Sequence, residues 1–267
     1  MYPRKQQVQT IILILILIVS MIIPSVIAEQ KKIVESSEKY AVIVVGRYAG
    51  VIKHIMPKHF QQYYTWYLNA AAMTYTMLTE KYGYTDENIY LLVTLRERYS
   101  VPDSFYSDWI DAPSTKNDLK QVLDEFKPGG SIWSDADDFF FFTFIDHGID
   151  ENEKDNGKYA HDTFFGLPYE FESIHDLIQY FVLRKDQERF RLYDFELAEY
   201  IENIHAGKKV FLLQPCYSGG FINDLSGINH IICSSSKEDE AATASWIEPF
   251  IRGLNGEADA NGDDLIS

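Results

Sequence analysis

Short unbroken apolar runs alternate along this chain with longer stretches in which apolar residues recur at helical spacing. YAVIVVG (Tyr40–Gly46) is a β-branched run closed by glycine and predicts a buried strand. From about Gln61 to Tyr82 the chain is rich in Ala, Met, Leu and aromatic residues, with no breaker before Gly83, which predicts a helix with a glycine stop. ENIYLLV (Glu87–Val93) predicts a second strand, followed by a long polar and aromatic connection. In STKNDLKQVLDEFKPGG, Ser114 or Thr115 is the expected N-cap, Leu119, Val122, Leu123 and Phe126 share a helix face, and Pro-Gly-Gly ends the element. DDFFFFTFI (Asp137–Ile145) predicts a third strand, KKVFLLQ (Lys208–Gln214) a fourth and INHIICSS (Ile228–Ser235) a fifth. LYDFELAEYIENI reads as an amphipathic helix ending near Gly207. The stretch from Gly148 to about Arg191 is irregular: it opens on the charged loop DENEKDNGK and holds one candidate helix, SIHDLIQYFVL.

Strands that alternate with helices imply βαβ units and a mainly parallel sheet covered on both faces, so an α/β fold is expected. That explains the run of four phenylalanines, Phe139–Phe142. A central parallel strand is buried on both sides and has no reason to alternate polar with apolar residues. Ligand crevices of open α/β sheets lie beyond the carboxyl ends of the strands. Asp146, His147 and Gly148 follow the third strand there, and Gln214, Pro215 and Cys216 follow the fourth. If these two strands are neighbours, a histidine and a cysteine share one rim.

Length and composition narrow the picture. With 267 residues, 46% of them hydrophobic and 15% aromatic, the chain suits one sizeable domain with a packed core rather than a disordered polymer. Residues 1–28 stand apart. Arg4 and Lys5 precede the aliphatic run Ile11–Ile23, and Val26 and Ala28 have the spacing of a signal-peptidase site, so the segment reads as a secretory signal, with an uncleaved membrane anchor as the alternative. The expected location is therefore outside the cell, secreted or anchored facing outward. Removing Arg4 and Lys5 takes the net charge from −16 to −18. Such a surface repels nucleic acid and anionic membranes, suits solubility outside the cell or basic substrates, and leaves the N-terminal segment, if uncleaved, as the one route to a membrane. There are two cysteines, Cys216 and Cys233. An exported chain could pair them, yet the surroundings of Cys216 point elsewhere, while Cys233 sits inside an apolar strand where a buried, inert thiol is expected.

A cysteine acts as a nucleophile through its thiolate, and a free thiol with a pKa of ~8.5 is mostly protonated at neutral pH. A nearby imidazole can take that proton and later hand one to a leaving amine. In QPCYSGG (Gln214–Gly220), Pro215 stiffens the approach and Gly219 and Gly220 permit a tight turn, where backbone N–H groups can point at a developing oxyanion. Gly148, directly after His147, allows a substrate carbonyl to approach the backbone. Asp146 should face away from His147 if the strand continues, so no triad role is expected of it. His54 and His59, five apart in a loop, do not make a metal pair.

YAVIVVG, FFTFIDHG, KKVFLLQPCYSGGF and HIICSSSKEDEAA together resemble the legumain-like branch of the caspase-like cysteine peptidases, over Tyr40 to about Phe250. The resemblance implies a caspase-like three-layer α/β/α sandwich in residues 29–255. It implies His147 as general base, Cys216 as nucleophile, and the backbone N–H groups of Gly148 and Cys216 as oxyanion donors, in peptide-bond cleavage through an acyl-enzyme with no cofactor for the chemistry. Gln214 stands where legumains carry an acidic residue and caspases a glutamine; Tyr67 and Leu68 stand at a legumain Arg-His pair, and Ala241 at a pocket serine. The candidate substrate-pocket residues are Gln214, Ser235, Asp239 and Glu240, the two acids being suited to a basic side chain or simply part of a solvated charge run.

The tail, residues 256–267, carries DANGDDLIS, the start of a calcium loop of EF-hand or dockerin type. Asp259, Asn261 and Asp263 take the first, third and fifth ligand positions and Leu265 the seventh, while Asp264 replaces the usual glycine and the twelfth-position carboxylate is absent. An acidic surface turn is the alternative. Three functions remain open at this point: a cysteine endopeptidase, a transamidase of the same fold, and a catalytically silent, calcium-binding extracellular interaction module.

Overall fold

A computed structural model describes residues 37–46, 58–95, 101–132, 134–150, 163–166, 191–242 and 246–259. The chain divides into Met1–Glu38 and Lys39–Ser267, and all the elements below belong to the second unit. The signal segment, the candidate helix at SIHDLIQYFVL, His54 and most of the calcium loop lie outside the described residues.

Six parallel strands form the central sheet in the order β3-β2-β1-β4-β8-β9. They are β1 (Lys39–Val45), β2 (Ile89–Val93), β3 (Ile110–Ala112), β4 (Phe139–Ile145), β8 (Lys208–Leu213) and β9 (His230–Ser234). Around them run α1 (Lys58–Glu80), α2 (Lys116–Glu125), α3 (Asp194–Ile201), α4 (Phe221–Leu225) and α5 (Ile247–Arg252). A small antiparallel sheet, β5 (Gly148–Asp150), β6 (Thr163–Gly166) and β7 (Arg191–Tyr193), stands at the carboxyl end of β4. This is the three-layer α/β/α sandwich that the resemblance implies. Among the described residues no helix is long and apolar enough to cross a membrane.

Two apolar layers sandwich the sheet, and β4 feeds both. Phe140, Phe142 and Phe144 pack with Leu119, Leu123 and Phe126 on the α2 side and with Leu197 and Ile201 of α3. Phe141 and Ile145 join the other layer, with Leu68, Ala71, Tyr75 and Leu78 of α1 and Ile247 and Ile251 of α5. Alternation persists in β4, but both faces look into apolar cores, so it is invisible in the sequence. The one polar residue of the strand, Thr143, is buried and donates from its hydroxyl to the Leu212 carbonyl at 2.8 Å.

Local signals place the helices. Thr115, not Ser114, caps α2, its Oγ1 accepting from the Asp118 N–H at 3.2 Å. Gly83 ends the turn after α1 at φ +70°, a left-handed conformation that glycine takes without penalty. Lys116 at the start of α2 reaches Glu196 of α3 at 2.5 Å and the Arg191 carbonyl at 2.9 Å, tying the two helices together. The helix expected over LYDFELAEYIENI is shorter than its pattern: Leu192 and Tyr193 belong to β7, and α3 stops at Ile201.

The strand order sets the location of any ligand. From β1 the chain crosses by α1 to β2 on one flank, and later by α2 to β4 on the other. The direction therefore reverses between β1 and β4, and at such a switch point the connections leave in opposite directions and open a crevice at the carboxyl ends. Gly46, at the end of β1, donates to the Ile145 carbonyl at 3.1 Å. His147 lies at the switch point.

Candidate active site

β4 and β8 pair in parallel from Phe139↔Lys208 to Phe144↔Leu213, so the two strands end side by side. The ladder continues one step further, the Gln214 N–H donating to the Phe144 carbonyl at 3.1 Å. Beyond it the backbones touch. A Cβ placed on Gly148 would lie 2.0 Å from the Cys216 carbonyl oxygen and 3.0 Å from the Pro215 Cβ. The sequence motifs of His147–Gly148 and Cys216 are thus brought together through their main chains.

β4 ends at Ile145, so Asp146, 1% exposed, and His147 both follow the strand, and its alternation does not set their directions. His147 meets Tyr67 of α1 edge-to-face, with ring centroids 5.8 Å apart. Burial pushes the His147 imidazole below its ordinary pKa, so the neutral, proton-accepting form is favoured at neutral pH. Tyr67, one of the two residues aligned with the legumain Arg-His pair, thus lies beside the candidate base. Its signal was the α1 periodicity, which lines it up with Tyr64, Leu68 and Tyr75 facing the sheet.

Cys216 is half-buried and is a free thiol, as is Cys233, so no disulfide joins them. Its Sγ lies 3.9 Å from the Ala242 carbonyl oxygen, to which it donates weakly. The Cys216 N–H has no hydrogen-bond partner among the described residues. Cys233, expected buried, is only partly so on edge strand β9, and its burial raises the pKa of its thiol.

The turn after Cys216 is strained. Tyr217 sits at φ 60°, ψ 12°, a left-handed conformation for a residue with a Cβ. Its N–H donates to the Glu240 carbonyl at 3.0 Å and its carbonyl accepts from Gly220 at 3.1 Å. Gly219 has to be glycine because a Cβ there would lie 2.5 Å from the Glu238 nitrogen.

The four candidate pocket residues have separate surroundings. Gln214 is 3% exposed, and its Oε1 is a buried acceptor with no partner among the described residues. Ser235 and Glu240 line an open depression of about 410 Å³ with Gly219, Ile222, Ser236 and Glu238; neither His147 nor Cys216 borders it. The Ser235 hydroxyl is turned onto the Gln214 and Pro215 carbonyls at 2.7 and 2.9 Å. The Glu240 carboxylate pairs with exposed Lys237 at 2.8 Å. Asp239 is exposed and does not line the depression.

Of the candidate calcium ligands, Asp259 is described, its N–H donating to the Gly256 carbonyl at 3.1 Å, while Asn261 and Asp263 lie outside the described residues. Among the described residues no group of three or more His, Cys, Asp or Glu side chains is arranged to hold a metal. The chain matches no protein-family model and no curated protein sequence.

Proposed function

We propose that the chain is an exported cysteine endopeptidase of the legumain-like, caspase-like kind, cutting peptide bonds through a Cys216–His147 dyad. The observation that carries this reading is the contact of Gly148 with the Cys216 backbone at the ends of adjacent parallel strands, with His147 one residue before it. His147 accepts the thiol proton, and the Cys216 sulfur attacks the substrate carbonyl carbon. The oxyanion is held by the Gly148 and Cys216 N–H groups, and His147 returns its proton to the departing amine. Water, activated by the same imidazole, then releases the acyl group. The reaction draws on no cofactor, and a calcium ion at Asp259, Asn261 and Asp263 would serve the tail rather than the chemistry.

A positional peptide library, run with and without calcium and with an added amine, tests the reading. Turnover of some pools to free acids, with labelling of Cys216 by a thiol-directed peptide probe, is the expected result. Products joined to the added amine would make the enzyme a transamidase. No turnover in any pool and no labelling would overturn both enzyme readings and leave the interaction module.

The buried imidazole adds a pH signature. Because desolvation lowers the His147 pKa, the base form survives to lower pH, and the acidic limb of kcat/KM should inflect below the ordinary histidine value of 6.5. The same shift acts on stability. As pH falls through 6.5 the unfolded chain binds a proton that the folded chain refuses, so stability is lost between 6.5 and the folded value. Thermal melts of wild type and His147→Gln across pH 5–8 should differ in slope; parallel slopes would show that His147 titrates normally.

A further inference from the structure

We propose that Ser235 is a positioning residue for the oxyanion hole, aiming the Cys216 N–H through the Pro215 carbonyl; this rests on the peptidase reading. β9 pairs with β8 as far as Ser234 opposite Leu213, and there the ladder ends. Beyond it, the Ser235 hydroxyl reaches two successive carbonyls of the other strand, Gln214 at 2.7 Å and Pro215 at 2.9 Å. Successive carbonyls of an extended strand point to opposite sides, so one hydroxyl can reach both only where the chain bends. That bend delivers Cys216 into the left-handed turn at Tyr217.

The Pro215 carbonyl and the Cys216 N–H belong to one planar trans peptide and point in opposite directions. Holding the carbonyl toward β9 therefore turns the N–H away from β9. The strand on that other flank is β4, whose end carries His147 and Gly148. The N–H so aimed is the one with no partner among the described residues. Ser235 is consequently a clamp on the peptide plane, its one hydroxyl proton shared between the Gln214 and Pro215 carbonyls rather than donated to a substrate side chain.

The test compares Ser235→Ala, Ser235→Thr and Ser218→Ala with wild type, all as full chains. Ser218 is the comparison because its hydroxyl donates to the Leu213 carbonyl at 3.3 Å, accepts from the Ser235 N–H at 3.2 Å and lies 3.3 Å from Ser235 Oγ, yet makes no bond to the Pro215 carbonyl, so its loss should disturb Ser235 less than removal of the Ser235 hydroxyl. Three readouts are taken: kcat and KM on a cleaved peptide, affinity for the matching peptide aldehyde, and alkylation of Cys216 by iodoacetamide. The aldehyde builds a tetrahedral oxyanion on the sulfur, whereas alkylation builds none. Ser235→Ala should lower kcat by roughly 10–100-fold, below the ~10²–10³ of losing an oxyanion donor outright. KM and the alkylation rate should stay within about twofold, and aldehyde affinity should fall in step with kcat. Ser235→Thr, which keeps the hydroxyl, should restore kcat, and Ser218→Ala should keep it while melting earlier. Unchanged kcat in Ser235→Ala, an equal fall in alkylation, or an equal kcat loss in Ser218→Ala would each overturn the proposal. If Ser235→Ala does not fold, an aldehyde affinity and kcat equal to wild type in Ser235→Thr supports the clamp, and loss of both counts against it. Wild type that neither turns over peptides nor binds the aldehyde removes the peptidase reading itself, and the clamp with it.

Discussion

On the proposed peptidase reading, Cys216→Ala should abolish peptide hydrolysis, with kcat falling by at least about four orders of magnitude and the fold intact. Removing a covalent nucleophile takes away the whole acyl-enzyme route, leaving what binding and oxyanion donors contribute. The structural cost is small. Cys216 is half-buried, and the substitution deletes one sulfur whose hydrogen-bond partner is the Ala242 carbonyl at 3.9 Å. Initial rates on the best library peptide measure the loss, and a thermal melt shows that the fold survives. Cys233→Ala serves as the matched control: that thiol lies on β9 with its pKa raised by burial, and its removal should leave turnover at the wild-type level. Wild-type rates in Cys216→Ala would mean that another group attacks the substrate.

Gly148→Ala should damage both stability and activity. The added methyl would sit 2.0 Å from the Cys216 carbonyl oxygen, well inside contact distance, with Pro215 Cβ at 3.0 Å. Both neighbours belong to the main chain or to a rigid ring, so no rotamer change relieves the clash, and the ends of β4 and β8 must part. Overpacking of this kind costs about 1–3 kcal/mol. The same displacement moves the Gly148 N–H relative to Cys216. A donor out of place costs roughly 10²–10³ in kcat, so the loss of rate should exceed what partial unfolding explains. Urea melts and kcat on the soluble variant separate the two effects. A variant as stable and as fast as wild type would show that the two backbones do not meet in solution.

The parts of this molecule legible in its sequence are those whose physics is local. β1, β4 and β8 are continuous apolar runs because each is buried on both faces, and the positions of His147 and Cys216 at their ends follow from that alone. Thr115 as a cap and Gly83 as a stop are equally local. β3 and the β5–β7 sheet were missed because strands of three or four residues carry no readable period; Ile110–Ala112 sits in a polar, aromatic connection. β7 reads as part of the helix because Tyr193, four residues before Leu197 and eight before Ile201, continues their apolar spacing. The candidate pocket was the least legible part. Closeness in sequence to the fifth strand suggested that Ser235, Asp239 and Glu240 face a substrate, but the direction of a side chain at the end of a strand depends on partners far along the chain. For Ser235 these are two carbonyls 20 and 21 residues away. Tyr67 beside His147 shows the same limit: its helix face was readable, but what that face would meet was not.

The left-handed Tyr217 has a thermodynamic consequence. A residue with a Cβ in this region costs about 1–2 kcal/mol that most substitutes would also incur and glycine would not. The bonds from Tyr217 to Glu240 and Gly220 hold it there against that cost. The turn that presents the thiol thus behaves as a loaded spring latched by the loop from Lys237 to Ala242. Any local opening of that loop would break the Tyr217–Glu240 bond and let the turn relax, so the orientation of Cys216 and the integrity of the neighbouring loop are thermodynamically linked.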